Sequence, residues 1–160
     1  MKKTLILNAN AKINLSLWVK EKRPDGFHEI SSIMQSITLC DTLTFKETKE
    51  EGIFIECDNP SVPKGSENIA HLAAKIVLNF FGIPPAIFIK IQKRIPIAAG
   101  LGGGSSDAAA VMVGLLRMYD KSMPIIDLMN LAQKVGSDVP FLVHGGLALA
   151  AGRGEILTFY

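Results

Sequence analysis

Four of the five residues 100–104 are glycine, Leu101 being the exception, and the run opens directly into Ser105-Ser106-Asp107-Ala108-Ala109-Ala110. Without Cβ atoms this short stretch of backbone can come close to a bulky anion and turn its N–H groups toward one point. The alanine-rich segment behind it predicts a helix over residues 105–119, with Ala108, Val111, Met112, Leu115 and Tyr119 facing inward. The first turn of such a helix leaves N–H groups without partners and carries the positive end of the peptide dipoles. Phosphate is the ligand this arrangement favours. Ser105 and Ser106 add hydroxyls that suit phosphate oxygens or a magnesium ion.

Two other glycine-rich loops are excluded by the letters. A GxxxxGK[ST] loop needs a lysine after its last glycine, and none follows these. A dinucleotide fingerprint counted from Gly100 puts Ser105 where Gly or Ala is required. A plain hinge would have little use for the flanking alanines and leucine or for the paired serines.

With 160 residues, 48% hydrophobic and 20% charged, the chain is expected to form one globular domain that buries about 70% of its unfolded surface. The balance of 17 basic to 15 acidic residues, without a basic run, gives no reason to expect nucleic acid or a membrane as partner. Cys40 and Cys57 lack CxxC spacing and a His/Cys neighbourhood, so free thiols in a reducing compartment are expected. The apolar stretch after Lys2-Lys3 is too short for a signal peptide and no segment approaches a membrane span, which points to the cytoplasm. Glu155-Ile156-Leu157-Thr158-Phe159-Tyr160 reads as a strand in which the sequence stops, and a larger parent protein is therefore expected.

Ile13, Leu15, Leu17 and Val19 alternate with Asn14, Ser16, Trp18 and Lys20, predicting a strand with one face buried. Strands are also expected at 30–39 and 43–48, with Asp41 as a turn between them, and at 52–57, 87–92, 147–151 and 155–159. Helices are expected over 66–81, capped by Ser66, over 105–119, and from Pro124 to a stop at Gly136. Strands gather first and then mix irregularly with helices, so the class is α+β rather than a regular βαβ series.

Two further residues carry chemistry only in combination. Lys12, in Asn10-Ala11-Lys12-Ile13-Asn14-Leu15, reads alone as a solvated lysine at a strand start. Asp138, in Val135-Gly136-Ser137-Asp138-Val139-Pro140-Phe141, reads alone as a helix cap. Phosphoryl transfer to a hydroxyl needs a phosphate cradle, a carboxylate to orient or deprotonate the acceptor, and a cation to spread developing charge. The glycine loop, Asp138 and Lys12 are one candidate for each.

With these segments read, the chain resembles the GHMP kinases, the group that includes galactokinase, homoserine kinase and mevalonate kinase. Pro96-x-x-x-Gly100-Leu101-Gly102, followed by small residues and Ser105-Ser106, is similar to their phosphate motif. Ala11-Lys12-Ile13-Asn14-Leu15, Arg23-Pro24-Asp25-Gly26-Phe27-His28-Glu29-Ile30, Lys93-Arg94-Ile95-Pro96, Gly136-Ser137-Asp138-Val139-Pro140 and Gly154-Glu155-Ile156-Leu157 fall in the order of one branch. That branch acts on a cytidylyl sugar alcohol, and Asp25-Gly26-Phe27-His28 is the piece that discriminates it.

The resemblance implies an α+β amino-terminal domain similar to ribosomal S5 domain 2, a mixed β-sheet with helices packed on one side. It implies phosphorylation by ATP, with Mg2+, of the 2-hydroxyl of a cytidylyl methylerythritol in non-mevalonate isoprenoid synthesis. Asp138 matches the general base and Lys12 the charge-stabilising lysine beside it. Asn14 matches a residue near the erythritol end; Phe27 matches the aromatic stacked on cytosine, and His28 the residue hydrogen-bonded to it. Asn68 and Lys93 match positions near the adenine. Pro96, Ala98, Ala99, Gly100, Leu101, Gly102, Gly103, Gly104, Ser105 and Ser106 match the ATP-binding segment, with Ser106 as a magnesium ligand. Asp107 falls where the family accepts Asp or Asn; beside phosphates it would be repulsive unless it points to the helix-start N–H groups. Relatives run to nearly twice this length, so residues 1–160 are expected to be the ATP-binding domain, with a second lobe lying outside this chain.

Overall fold

Two long strands set the frame. In the computed structural model, which describes residues 3–22, 24, 26 and 28–160, β1 (Thr4–Lys22) and β2 (His28–Glu47) pair antiparallel from Thr4↔Lys46 to Lys22↔His28. The other edge of β2 is shared by two strands. Its carboxyl half pairs with β4 (Ala86–Gln92), and its amino half pairs with β5 (Leu147–Gly152). β3 (Gly52–Cys57) joins β4 in parallel through helix α1 (Ile69–Phe80), and β6 (Ile156–Phe159) closes the far side against β5. The sheet is mixed and six-stranded. Three more helices lie among the described residues: α2 (Gly103–Met118), α3 (Ile125–Ala132) and α4 (Val139–His144).

Period-two alternation puts Leu43, Phe45, Ile55, Ile87, Ile89 and Ile91 on one face, all buried. Ala70, Ala73, Ala74 and Val77 of α1 and Ala108, Val111, Met112 and Leu115 of α2 pack over them, so the helices lie on one side of the sheet. Each fully buried Leu, Ile or Phe here contributes roughly 1.5–3 kcal/mol. Small residues decide how close α2 comes: a Cβ on Gly114 would overlap the Phe45 ring. A second cluster holds α4 to the sheet, with Phe141, Met34, Ala148 and Ala150 buried and Phe141 stacked on Phe159.

Several local expectations are corrected. β2 runs without a turn through Asp41, which is completely buried. Asn68, not Ser66, caps α1, because its Oδ1 takes the Ala70 N–H at 2.9 Å. α2 starts at Gly103, two residues earlier than expected, so both serines lie in its first turn rather than opening it. The apolar residues of the β1 tip are not on a buried face: Leu15, Leu17 and Val19 are half or more exposed. A register shift between Asn14 and Ser16 breaks their alternation, and that half of the hairpin extends past the helices of the main core. The short helix α4 was not anticipated. Cys40 and Cys57 are free thiols, and among the described residues no helix is long and apolar enough to cross a membrane.

Candidate active site

The ladder of β1 shifts register between Asn10 and Lys12. There the Lys12 N–H donates to the Leu101 carbonyl at 3.0 Å, tying the glycine loop to the sheet. A Cβ on Gly102 would lie 3.1 Å from Lys12 Cγ and 3.4 Å from Cε, so the loop backbone lies along the lysine stem. Gly100 and Gly102 take positive φ angles of 74° and 69°. Ala98 does so too, at 58°, which costs a residue with a Cβ about 1–2 kcal/mol. Residues 96–100 are exposed, and the first-turn N–H groups of Gly103, Gly104 and Ser105 have no preceding turn to bond to.

Asp138 stands at the N-cap position of α4, yet its carboxylate makes no capping bond. Its Oδ2 lies 3.5 Å from Lys12 Nζ, with the lysine side chain 7% exposed and the aspartate 33%. The same ammonium donates to Asn14 Oδ1 at 3.3 Å. Lys12, Asn14 and Asp138 therefore meet beside the loop. A half-open carboxylate next to a buried cation can accept a proton from a hydroxyl while the cation offsets negative charge.

A second charged cluster lies beneath the loop. Lys93 Nζ donates to Asp41 Oδ2 and, at 2.8 Å, to Asp107 Oδ2, and all three side chains are buried. Asp41 Oδ1 accepts from the N–H groups of Arg94 and Ile95. Burial pushes the Asp107 carboxyl up to about 7 against the pull of Lys93, with the Asp41 charge adding to the rise. Burial disfavours the Lys93 ammonium, but Asp107 and Asp41 outweigh it and hold its pKa above the ordinary lysine value. Asp107 is thus quietened by a lysine, not by the helix-start N–H groups.

A cavity of about 380 Å³ opens between the loop and the start of α1, within the usual size of small-molecule sites. Asn68, Lys93, Pro96, Ala98, Ala99, Gly100, Leu101, Gly102, Gly103, Gly104 and Ser105 all line it. Sequence reasoning missed its apolar wall of Val62, Pro63, Ile69 and Ile97. Those residues come from a turn segment, a helix start and the loop, and share no periodicity that could have marked them.

Other anticipated residues take different places. The Ser106 hydroxyl donates to the Asn10 carbonyl at 2.6 Å, and Ser106 does not line the cavity. One turn into the helix, its amide is also spent on Gly102. Its hydroxyl is directed toward β1. Among the described residues no group of three or more His, Cys, Asp and Glu side chains could hold a metal. Asn68 spends its side chain on Ala70 and Pro63 and so shapes the wall. The Lys93 ammonium is spent on two carboxylates. His28 begins β2 six residues before Met34, the partner of Asn14, a separation of about 20 Å along the strand. His28, Ile30, Ser32 and Met34 share the face of Asn14, with Ser32 and Met34 buried between the Lys12–Asp138 pair and the hairpin tip. Phe27 lies outside the described residues.

Comparison with known proteins adds independent findings. The family described as GHMP kinases N terminal domain matches residues 68–146. The 4-diphosphocytidyl-2-C-methyl-D-erythritol kinase of Acetivibrio thermocellus is 49% identical over 155 residues, 97% of this chain and 54% of that protein. The enzyme of the same name from Geobacter metallireducens is 47% identical over 156 residues, 98% of this chain and 56% of that protein. The crystal structure of a 4-(cytidine 5'-diphospho)-2C-methyl-D-erythritol kinase superposes with a TM-score of 0.82 at 38% identity, covering 98% of this chain and 55% of that one. Methanococcus jannaschii mevalonate kinase, at 18% identity and a TM-score of 0.77 over 99% of this chain and 56% of its own, shares the fold. The chain spans about half the length of the curated relatives it matches.

Proposed function

Because the chain belongs to the GHMP kinases and carries their amino-terminal domain, we propose that its full-length protein transfers the γ-phosphate of ATP to the 2-hydroxyl of 4-diphosphocytidyl-2-C-methyl-D-erythritol. In this reading residues 1–160 are the ATP-binding domain, and a second lobe completes the cleft. The step would serve non-mevalonate isoprenoid synthesis.

One observation carries the reading: the Lys12–Asp138 pair, 3.5 Å apart, stands beside the glycine loop with Asn14 bonded to the same ammonium. The nucleotide lies over the apolar wall with its phosphates at the loop and the α2 mouth, where N–H groups and the helix dipole meet negative charge. Asn14 orients the acceptor. Asp138 takes the proton of its hydroxyl as the phosphoryl group moves, and Lys12 offsets charge growing on the transferred oxygens. No covalent intermediate on the protein is required. Magnesium accompanies the nucleotide phosphates and shields their charge when bound.

The relatives' names support the acceptor, and so does the placement of Asn14, Ile30 and His28 on one face of the hairpin. Steady-state release of ADP by the full-length protein, with that acceptor against mevalonate, homoserine and galactose, tests it. Turnover is expected with the cytidylyl substrate alone. Comparable turnover with another acceptor would replace the assignment.

A further inference from the structure

The glycine loop raises a mechanical question. Residues 96–100 are exposed, so packing does not hold them, and the glycines allow many backbone shapes. Something outside the loop must hold it open for a ligand.

Both of its feet lead to one side chain. At the leading foot, the N–H groups of Arg94 and Ile95 donate to Asp41 Oδ1, the second at 2.8 Å. At the trailing foot, Asp107 in the second turn of α2 is bound at 2.8 Å by Lys93 Nζ, which in turn donates to Asp41 Oδ2. Gly103 closes the gap between the feet, since a Cβ there would lie 3.0 Å from Ile95 Cγ2 and 3.3 Å from Lys93 Nζ. Asp41 is 0% exposed and sits where β2 leaves its pairing with β4, whose ladder ends at Thr42↔Gln92. A buried carboxylate is costly to desolvate, and directed donors recover that cost only in one geometry. An apolar residue would fill the place beside Ala9 and Leu43 without that cost, so the carboxylate serves the arrangement of its donors.

We propose that Asp41 is the positioning residue of the nucleotide loop, a single buried carboxylate that clamps the leading foot directly and the trailing foot through Lys93. This rests on the loop being the nucleotide site. Lys93, in this account, acts as a strut under the loop and not as a contact to the base.

Hydrogen exchange over residues 96–104 of the ligand-free full-length protein, calorimetric titration with Mg·ATP, and steady-state kinetics test the clamp together. In Asp41→Asn, exchange across the loop is expected to rise tenfold or more while α1 exchanges as before. ATP affinity should fall about tenfold, and KM for ATP should rise with KM for the acceptor unchanged. A merely structural role would lower the melting temperature without moving that split. The double variant Lys93→Met/Asp107→Leu removes the lysine together with its second carboxyl partner and keeps the bonds of Asp41 to Arg94 and Ile95, so it covers the case in which Asp41→Asn does not fold. Its loosening is expected only toward residues 101–104. Unchanged exchange and affinity in these variants, with a wild type that binds ATP, would overturn the clamp alone. Loosened exchange with a wild type that binds no ATP would keep the clamp and overturn the nucleotide reading.

Discussion

Lys12 and Asp138 come from opposite ends of the sequence, and their charged atoms stand 3.5 Å apart. Asp138→Asn keeps the shape of the side chain but cannot accept the proton. Turnover should fall by about 100-fold or more with circular dichroism unchanged, and wild-type turnover would remove Asp138 from the mechanism. Asp107 makes a prediction of the opposite kind, about stability. Its folded carboxyl titrates near 7 against 3.8 in an unfolded chain, so the folded state holds the proton more tightly. That contribution is complete below about pH 4 and is lost as the pH rises toward 7. Asp107→Asn should therefore show a smaller fall in melting temperature between pH 4 and 7 than the wild type does. Parallel curves would mean that the carboxyl titrates normally.

Elements meet through the residues that are missing a side chain. α2 crosses the sheet at Gly114, directly over Phe45. Alanine there would gain about 1 kcal/mol in helix propensity, yet its methyl group must displace a buried ring in a closed core, at a cost of about 1–3 kcal/mol. Urea denaturation of Gly114→Ala should show a net loss of stability, and a gain would mean that Phe45 has room to move. Gly102 joins the loop to α2 with a φ of 69°, against the stem of Lys12. In Gly102→Ala the new methyl group pushes that stem away from Asp138. Turnover should drop by tenfold to about a hundredfold, the scale of a small misplacement in a catalytic site. Stability should change by only about 1–2 kcal/mol. Equal turnover would show that the lysine tolerates the shift.

For the whole molecule, the question is how much of the reaction these residues support by themselves. The cavity proposed for the nucleotide is lined by the loop, the start of α1 and the segments beside them, so residues 1–160 should bind Mg·ATP if that proposal holds. The acceptor side is more open: Asp138 is one-third exposed, and Leu17 and Val19 are at least half exposed along the hairpin. Water entering beside the charge pair weakens the electrostatic terms on which phosphoryl transfer depends. The 160-residue chain is expected to turn over roughly 100-fold or more slowly than the full-length protein, measured side by side at saturating ATP. Equal rates would mean that one lobe suffices.

The letters by themselves carried whatever is written between near neighbours. Alternation marked the core strands at Leu43, Phe45, Ile87, Ile89 and Ile91, and helical spacing marked Ala108, Val111, Met112 and Leu115. The glycine run told its own chemistry because backbone freedom is a property of each residue. Resemblance supplied Lys12 and Asp138 as partners, but only the folded chain set their distance. Tertiary structure alone decided which apolar faces found cover, and so left Leu15, Leu17 and Val19 in solvent despite their strand spacing. It also turned Asp41 from an apparent turn residue into a buried anchor, moved the cap of α1 from Ser66 to Asn68, and spent Ser106 and Lys93 on protein partners. The reason is physical: desolvation and directed hydrogen bonds depend on what lies opposite a side chain, and sheet order, not sequence spacing, determines that.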